Sequence, residues 1–167
     1  MERIHSFVPV YAADAQVLIL GSMPGVQSLA QGFYYAHPRN AFWPILAEIF
    51  GEKVPQSVAE KVHLVKSHHI ALWDSIASCH REGSLDSDIR SAQGNDFAAL
   101  FAACPHIGRI CFNGQTAYKQ FAQHSGQFLQ GRQGIILPST SPAHTMKYEH
   151  KREKWRDAIL HGKGVEV

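Results

Sequence analysis

Four short apolar runs punctuate the chain, at residues 16–21, 69–74, 109–113 and 134–139. Three have few polar interruptions, the pattern of strands covered on both faces. Between the runs the spacing becomes helical. Phe42, Ile45, Leu46, Ile49 and Phe50 fall at i, i+3, i+4, i+7 and i+8, one apolar stripe. Phe97, Leu100, Phe101 and Cys104 repeat that spacing, with Pro105 as a stop. Val58, Val62 and Val65 mark another helix, and residues 115–123 and 147–160 complete the set. Strands alternating with helices predict a parallel sheet with crossover connections. No internal repeat or linker breaks the pattern. The expected architecture is one α/β domain over residues 1–167, an α/β/α three-layer arrangement around a mainly parallel four-stranded sheet.

Ligands of open α/β sheets bind at the carboxyl ends of the strands, so the residues there carry the chemistry. The first strand runs into Gly21-Ser22-Met23-Pro24-Gly25. A long loop rich in glycine and aromatics follows, with Phe33, Tyr34 and Tyr35, before a helix that begins at Asn40. The second strand ends in Trp73-Asp74-Ser75 and the third in Asn113-Gly114. The fourth ends in Pro138-Ser139-Thr140-Ser141-Pro142-Ala143-His144. Parallel strands place all four tips on one edge. Asp74, Asn113, Ser139 and His144 are therefore expected within reach of the first loop. That loop offers a flat aromatic surface, backbone amides and one carboxamide, which suits a planar heterocycle better than a phosphate tail.

Composition narrows the class. A chain of 167 residues, 45% hydrophobic and 18% charged, is globular in type and large enough for a real core. No apolar run approaches the roughly 20 residues of a membrane span. Residues 1–6 lack a signal-like apolar stretch, so a cytoplasmic location is expected. The net charge of +2 hints only weakly at an anionic partner. Cys79, Cys104 and Cys111 are odd in number and form no C-x-x-C pair, which points to small core residues rather than a zinc or iron–sulfur site. The 11 histidines are scattered, and the adjacent His68 and His69 would point to opposite faces of an extended segment. Neither a G-x-G-x-x-G after strand one nor a Walker sequence occurs. No metal and no organic cofactor is expected.

Three blocks carry a family resemblance: residues 21–25 through His37-Pro38-Arg39-Asn40-Ala41-Phe42-Trp43, then Phe112-Asn113-Gly114, then Leu137-Pro138-Ser139-Thr140-Ser141-Pro142-Ala143-His144. Together they resemble the uracil-DNA glycosylase superfamily, and within it the hypoxanthine-DNA glycosylases, over nearly the whole chain. One departure stands out. The mismatch-specific uracil enzymes carry an Asn where this chain has Met23, and positions 22–25 hold no acid. The hypoxanthine branch places its important Asn in the His-Pro-x-Asn string, here Asn40. Residues 73–79 and 81–86 also look like that branch.

The resemblance implies a monofunctional DNA glycosylase that flips out a deaminated base, hypoxanthine first, and hydrolyses its N-glycosidic bond. The alternatives are a uracil or thymine mismatch glycosylase of the same superfamily and a non-catalytic binder of DNA lesions. Asn40 is then the residue that positions water, or the cap of the following helix. Asp74 orients a water or caps the segment after its strand. Gly21, Ser22, Met23 and Pro24 offer backbone to the base. Tyr35, with Phe33 beside it, stacks on the base or anchors the loop. Asn113 reads the base edge or makes a turn. Ser139, Thr140 and Ser141 contact phosphates, and Pro142 and Ala143 form a wedge. His144 sits near the base or the phosphates, or is a surface histidine, and Lys147 meets a phosphate. The expected partner is DNA bearing a deaminated base, bound by a monomer away from any membrane.

Overall fold

Val17-Leu18-Ile19-Leu20 is apolar at every position, and a strand of that kind is stable only with both faces covered. In the computed structural model, which describes residues 2–167, it lies at the centre of the molecule with all four residues buried. In chain order the elements are β1 (Arg3–His5), β2 (Val17–Gly21), α1 (Val26–Gln31), α2 (Phe42–Ile49), α3 (Val58–Ser67), β3 (Ile70–Asp74) and β4 (Ile76–His80). There follow β5 (Arg90–Gly94), α4 (Phe97–Ala103), β6 (Arg109–Asn113), α5 (Gln115–Ser125), β7 (Gln133–Leu137), α6 (Tyr148–His161) and β8 (Val165–Glu166).

The main sheet has the order β3-β2-β6-β7-β8. Its first four strands are parallel and are the four expected from the apolar runs. The two-residue β8 adds an antiparallel edge on β7. The chain steps from β2 to β3 on one side and then crosses β2 to reach β6 on the other. Such a reversal opens a crevice at the strand tips. The register puts Gly21 beside Asp74 and Asn113 beside Leu137, so the chemically equipped tips are level with one another.

Helix α2 buries Phe42, Trp43, Ile45, Leu46 and Ile49, the expected stripe. It starts at Phe42 rather than Asn40, and Pro44 falls in its first turn, where the missing N–H has no partner to lose. Trp155 of α6 is fully buried and meets the Phe42 ring edge-on, with centroids 5.8 Å apart. Cys104 and Cys111 belong to this core, as expected, and Cys79 is also buried and free. No helix among the described residues is long and apolar enough to cross a membrane.

Besides the β8 edge, which makes the expected four-stranded sheet five-stranded, two features depart from the expected architecture. The first is a second sheet, antiparallel, of order β1-β4-β5. The two strands flanking β4 are β5, which reads Arg-Ser-Ala-Gln-Gly, and β1, which has only three residues, so neither shows an apolar alternation. The chain passes from one sheet to the other at Ser75, whose amide donates to Gly21 O at 2.8 Å and whose hydroxyl donates to Ala117 O at 2.6 Å. Met23, Ile76 and Cys79 form a small separate core beneath that sheet. The second is α1, which interrupts the loop expected between β2 and α2. Only Ser28 of its six residues is buried, leaving no apolar stripe to read; Gly32, at φ +75°, ends it in the left-handed conformation.

Candidate active site

At the tips of β2, β3, β6 and β7 lies a cavity of about 580 Å³. It is lined by residues 21–28 and by Tyr34, Tyr35, His37 and Asn40 from the loop before α2. Asp74, residues 84–87, Asn113 and residues 139–144 close the remaining sides. Fourteen of the sixteen residues singled out from sequence are therefore brought together: Gly21, Ser22, Met23, Pro24, Tyr35, Asn40, Asp74, Asn113 and the six from Ser139 to His144.

Two are not. Phe33 is expected beside the base, but it is buried in the main core, edge-on to Tyr34 and stacked on Trp43. Tyr34 and Tyr35 take the wall instead. Three aromatics in a row give no periodicity from which to tell them apart. Lys147 is exposed at the N-terminal end of α6 and lies outside the cavity lining.

The floor is built on Gly21. A Cβ there would lie 2.5 Å from Asp74 Oδ1 and 2.8 Å from the Tyr35 hydroxyl, so the glycine is what lets these groups close over the β2 tip. Tyr35 has φ +53°, a conformation L-residues rarely adopt, and its ring is stacked on Phe42 with centroids 4.2 Å apart. The fixed ring holds the strained backbone in place. Asp74 is 2% exposed. Burial, with the charge of Asp86 adding to it, pushes its carboxyl up to about 7, against the pull of Arg81. Burial and then the Asp74 charge hold the hydroxyls of Tyr34 and Tyr35 protonated. Neither Asp74 Oδ2 nor the Tyr35 hydroxyl has a hydrogen-bond partner among the described residues.

The walls are tied down by hydrogen bonds that run across the fold. Asn113 Nδ2 donates to Thr140 Oγ1 at 3.0 Å, and the Thr140 amide returns a bond to Asn113 Oδ1 at 2.9 Å. Both ends of that carboxamide thus serve the 139–144 loop, although its side chain still borders the cavity. The Thr140 carbonyl accepts from the Ala41 amide at 3.0 Å, joining this loop to the start of α2. Asn40 Oδ1 accepts from the Phe42 amide at 3.0 Å, so the residue does support the helix start while it lines the cavity. Opposite, the Ser22 hydroxyl donates to Asp86 Oδ1 at 2.7 Å, and the buried Arg81 donates to the carbonyls of Pro24 and Gly83.

Lys151 is the residue the sequence concealed. It stands in a run of charges on α6 that reads as a solvated helix face. Instead it is 4% exposed, with Nζ donating to the carbonyls of Ser141, at 3.2 Å, and His144, at 2.7 Å. Only its position, i−4 to the buried Trp155, hints at an inward direction. Replacing Lys151 by Met should free both carbonyls and cost about 1–3 kcal/mol. Urea denaturation measures the loss, and amide exchange at Ala143 and His144 should accelerate. Unchanged exchange would show that the ammonium does not hold the loop.

Among the described residues no group of three or more His, Cys, Asp or Glu is placed to hold a metal ion. The arrangement is a half-enclosed pocket with an aromatic wall, a buried carboxyl, a carboxamide and a rigid hydroxyl-rich loop at its mouth. It can receive a flat polar heterocycle and present fixed donors to its edge.

Comparison with known proteins identifies the family and the fold. The family model for the uracil DNA glycosylase superfamily matches residues 8–161. A hypoxanthine DNA glycosylase of Methanosarcina acetivorans is 33% identical over 156 residues, covering 93% of this chain and 97% of the relative. Another hypoxanthine DNA glycosylase, from Methanosarcina barkeri, is 32% identical over 160 residues, with 92% and 96% covered. A solution NMR structure of a candidate uracil DNA glycosylase from Methanosarcina acetivorans superposes with a TM-score of 0.82 at 31% identity, covering 96% of this chain and 98% of the other.

Proposed function

This chain belongs to the uracil DNA glycosylase superfamily, and on that footing we propose that it is a monofunctional DNA glycosylase acting on deaminated purine, hypoxanthine foremost. The observation that carries the reading is the meeting of Asn40, Tyr35 and Asp74 in one cavity at the strand tips. The relatives named for hypoxanthine excision, at 32–33% identity over almost the full chain, support the choice of base.

Hydrolysis of an N-glycosidic bond builds positive charge on the sugar while the base leaves with the bonding electrons. Little basicity is then needed in the attacking water, only placement. Asn40 supplies that placement through its carboxamide, which cannot act as a base but can hold a water. Met23 has no group for the task. Asp74 is the second catalytic group, and Tyr35 forms one wall of the base pocket. The backbone of residues 21–24 and the side of Asn113 frame its edge.

The base must leave the stack before it reaches this pocket. Ser139 and Ser141 offer hydroxyls to the phosphates and Pro142 and Ala143 form the apolar wedge, whereas Thr140, expected at a phosphate, is buried with its amide and hydroxyl both bonded to Asn113 and holds the loop in shape instead. His144 and the exposed Lys147 stand beside them on the DNA side. The chain works as a monomer of one domain, in the cytoplasm, with no cofactor.

Single-turnover excision with EDTA present tests this. Matched duplexes would carry hypoxanthine, xanthine or uracil. Hypoxanthine should be released fastest, leaving an abasic site. Faster release of uracil would make the chain a mismatch uracil enzyme of the same superfamily. Tight binding without release of any base would make it a lesion binder.

A further inference from the structure

Tyr35 and Asp74 bring two buried oxygens to one point on the cavity floor. The Tyr35 hydroxyl and Asp74 Oδ1 close on the bare Cα of Gly21, at 2.8 Å and 2.5 Å from where a Cβ would stand. The hydroxyl and Oδ2, the second oxygen of that carboxyl, make no hydrogen bond among the described residues, although the Asn113 carboxamide lies near the hydroxyl, and Asp74 is 2% exposed. Buried polar atoms are nearly always paired. Two neighbouring exceptions in a ligand-sized cavity mark the place of a ligand's polar atom.

On the reading of the chain as a glycosylase of deaminated bases, we propose that the Tyr35 hydroxyl and the Asp74 carboxyl are paired donors that hold the carbonyl oxygen of the excised base. That oxygen is what deamination puts in place of an amino group, so the pair reads the lesion itself. Adenine presents N–H donors at the same position, which would leave both protein donors unsatisfied. Guanine carries the same oxygen, so the pair discriminates against adenine and not against guanine.

The pair also acts on the chemistry. As C1′–N9 breaks, its electron pair goes to the base and part of the charge settles on the carbonyl oxygen. Donors already aimed there gain strength in the transition state. The water oxygen bonds to C1′ and its proton passes to solvent, while the released base takes a proton from solvent. Tyr35 and Asp74 keep theirs throughout. A tyrosine beside a protonated aspartate forms the oxyanion hole of ketosteroid isomerase by the same logic.

A carboxyl donates only when protonated, and the surroundings of Asp74 favour that form. Asp86 faces it from the segment between β4 and β5, Arg81 from the turn after β4, and Tyr34 and Tyr35 from the loop before α2. Burial comes first among the causes, Asp86 adds to it, Arg81 opposes, and the group titrates at about 7. His37 and His144 border the same cavity, so the test must separate them from Asp74.

Single-turnover rates from about pH 5.5 to about 8.5 provide the test, on duplexes carrying hypoxanthine or a purine with hydrogen in place of the oxygen. Wild type should release hypoxanthine at a constant rate in acid and lose roughly tenfold per pH unit once Asp74 ionises. Asp74→Asn donates at every pH, so its profile should be flat through this range. Tyr35→Phe should be about 10²-fold slower with the alkaline fall intact. Release of the oxygen-free purine should show no alkaline fall. A fall that persists in Asp74→Asn, or Tyr35→Phe at the wild-type rate, would overturn the donor pair. Should Asp74→Asn not fold, the comparison of the two substrates on wild type decides the question alone. Absence of any hypoxanthine release by wild type would sink the glycosylase reading as well, whereas release with unaffected variants would sink the donor pair only.

Discussion

Asn40→Ala is expected to slow single-turnover release of hypoxanthine at least about 10²-fold, the scale of loss when a reacting group is misplaced by about 1 Å. The Asn40 carboxamide borders the cavity and has one oxygen bond committed to the Phe42 amide, 3.0 Å away. That bond fixes the side chain, so a water bound to it is fixed too. Alanine loses both the water site and the support of the helix start. The second loss alone costs about 0.5–2 kcal/mol, visible as a lower melting temperature. Rates measured well below that temperature separate the two effects. A rate within a few-fold of wild type would leave Asn40 as a helix cap and remove it from the mechanism.

Gly21→Ala should be nearly as damaging, for a purely steric reason. The new methyl would stand 2.5 Å from Asp74 Oδ1 and 2.8 Å from the Tyr35 hydroxyl. Neither can retreat easily, because Asp74 ends a strand paired with β2 and Tyr35 is stacked on Phe42. Overpacking of this kind costs about 1–3 kcal/mol, and the floor of the pocket would be spread apart. Release of the base should fall about 10²-fold. Gly25→Ala is the milder comparison: its nearest neighbour would be Ser84 Oγ at 3.3 Å, an exposed side chain that can turn away for the loss of one hydrogen bond, from the Val26 amide at 2.8 Å. Equal behaviour of the two variants would mean that the close approach at Gly21 has no bearing on activity.

The main sheet was legible because its strands are buried on both faces and so read as unbroken apolar runs. The α2 stripe was legible for the matching reason, a single buried face repeating at helical spacing. Once parallel strands are granted, geometry alone gathers Gly21, Asp74, Asn113 and Ser139 at one edge. The antiparallel sheet was hidden since β5 is almost wholly polar and β1 is too short to alternate. Asn113 was visible as a polar strand tip, yet nothing in Asn-Gly distinguishes a base reader from the clasp of a neighbouring loop. Lys151 and Arg81 were invisible for a further reason. A long cation folded inward to bind carbonyls has the same letter as one extended into water.

The crossing at Ser75 divides the pocket between two structural units. Its chemical floor rests on the parallel sheet, whereas the wall at residues 84–87 hangs from the connection between β4 and β5. That wall meets the floor through the Ser22–Asp86 and Arg81–Pro24 contacts, and it can be lengthened or shortened without re-pairing the strands that carry Gly21, Asp74 and Asn113, whereas a change of charge at Asp86 or Arg81 also reaches the Asp74 carboxyl. A fold partitioned in this way keeps its strand framework constant while the aperture drifts. New lesion preferences in such proteins should therefore map to the 81–89 connection before they map to the sheet.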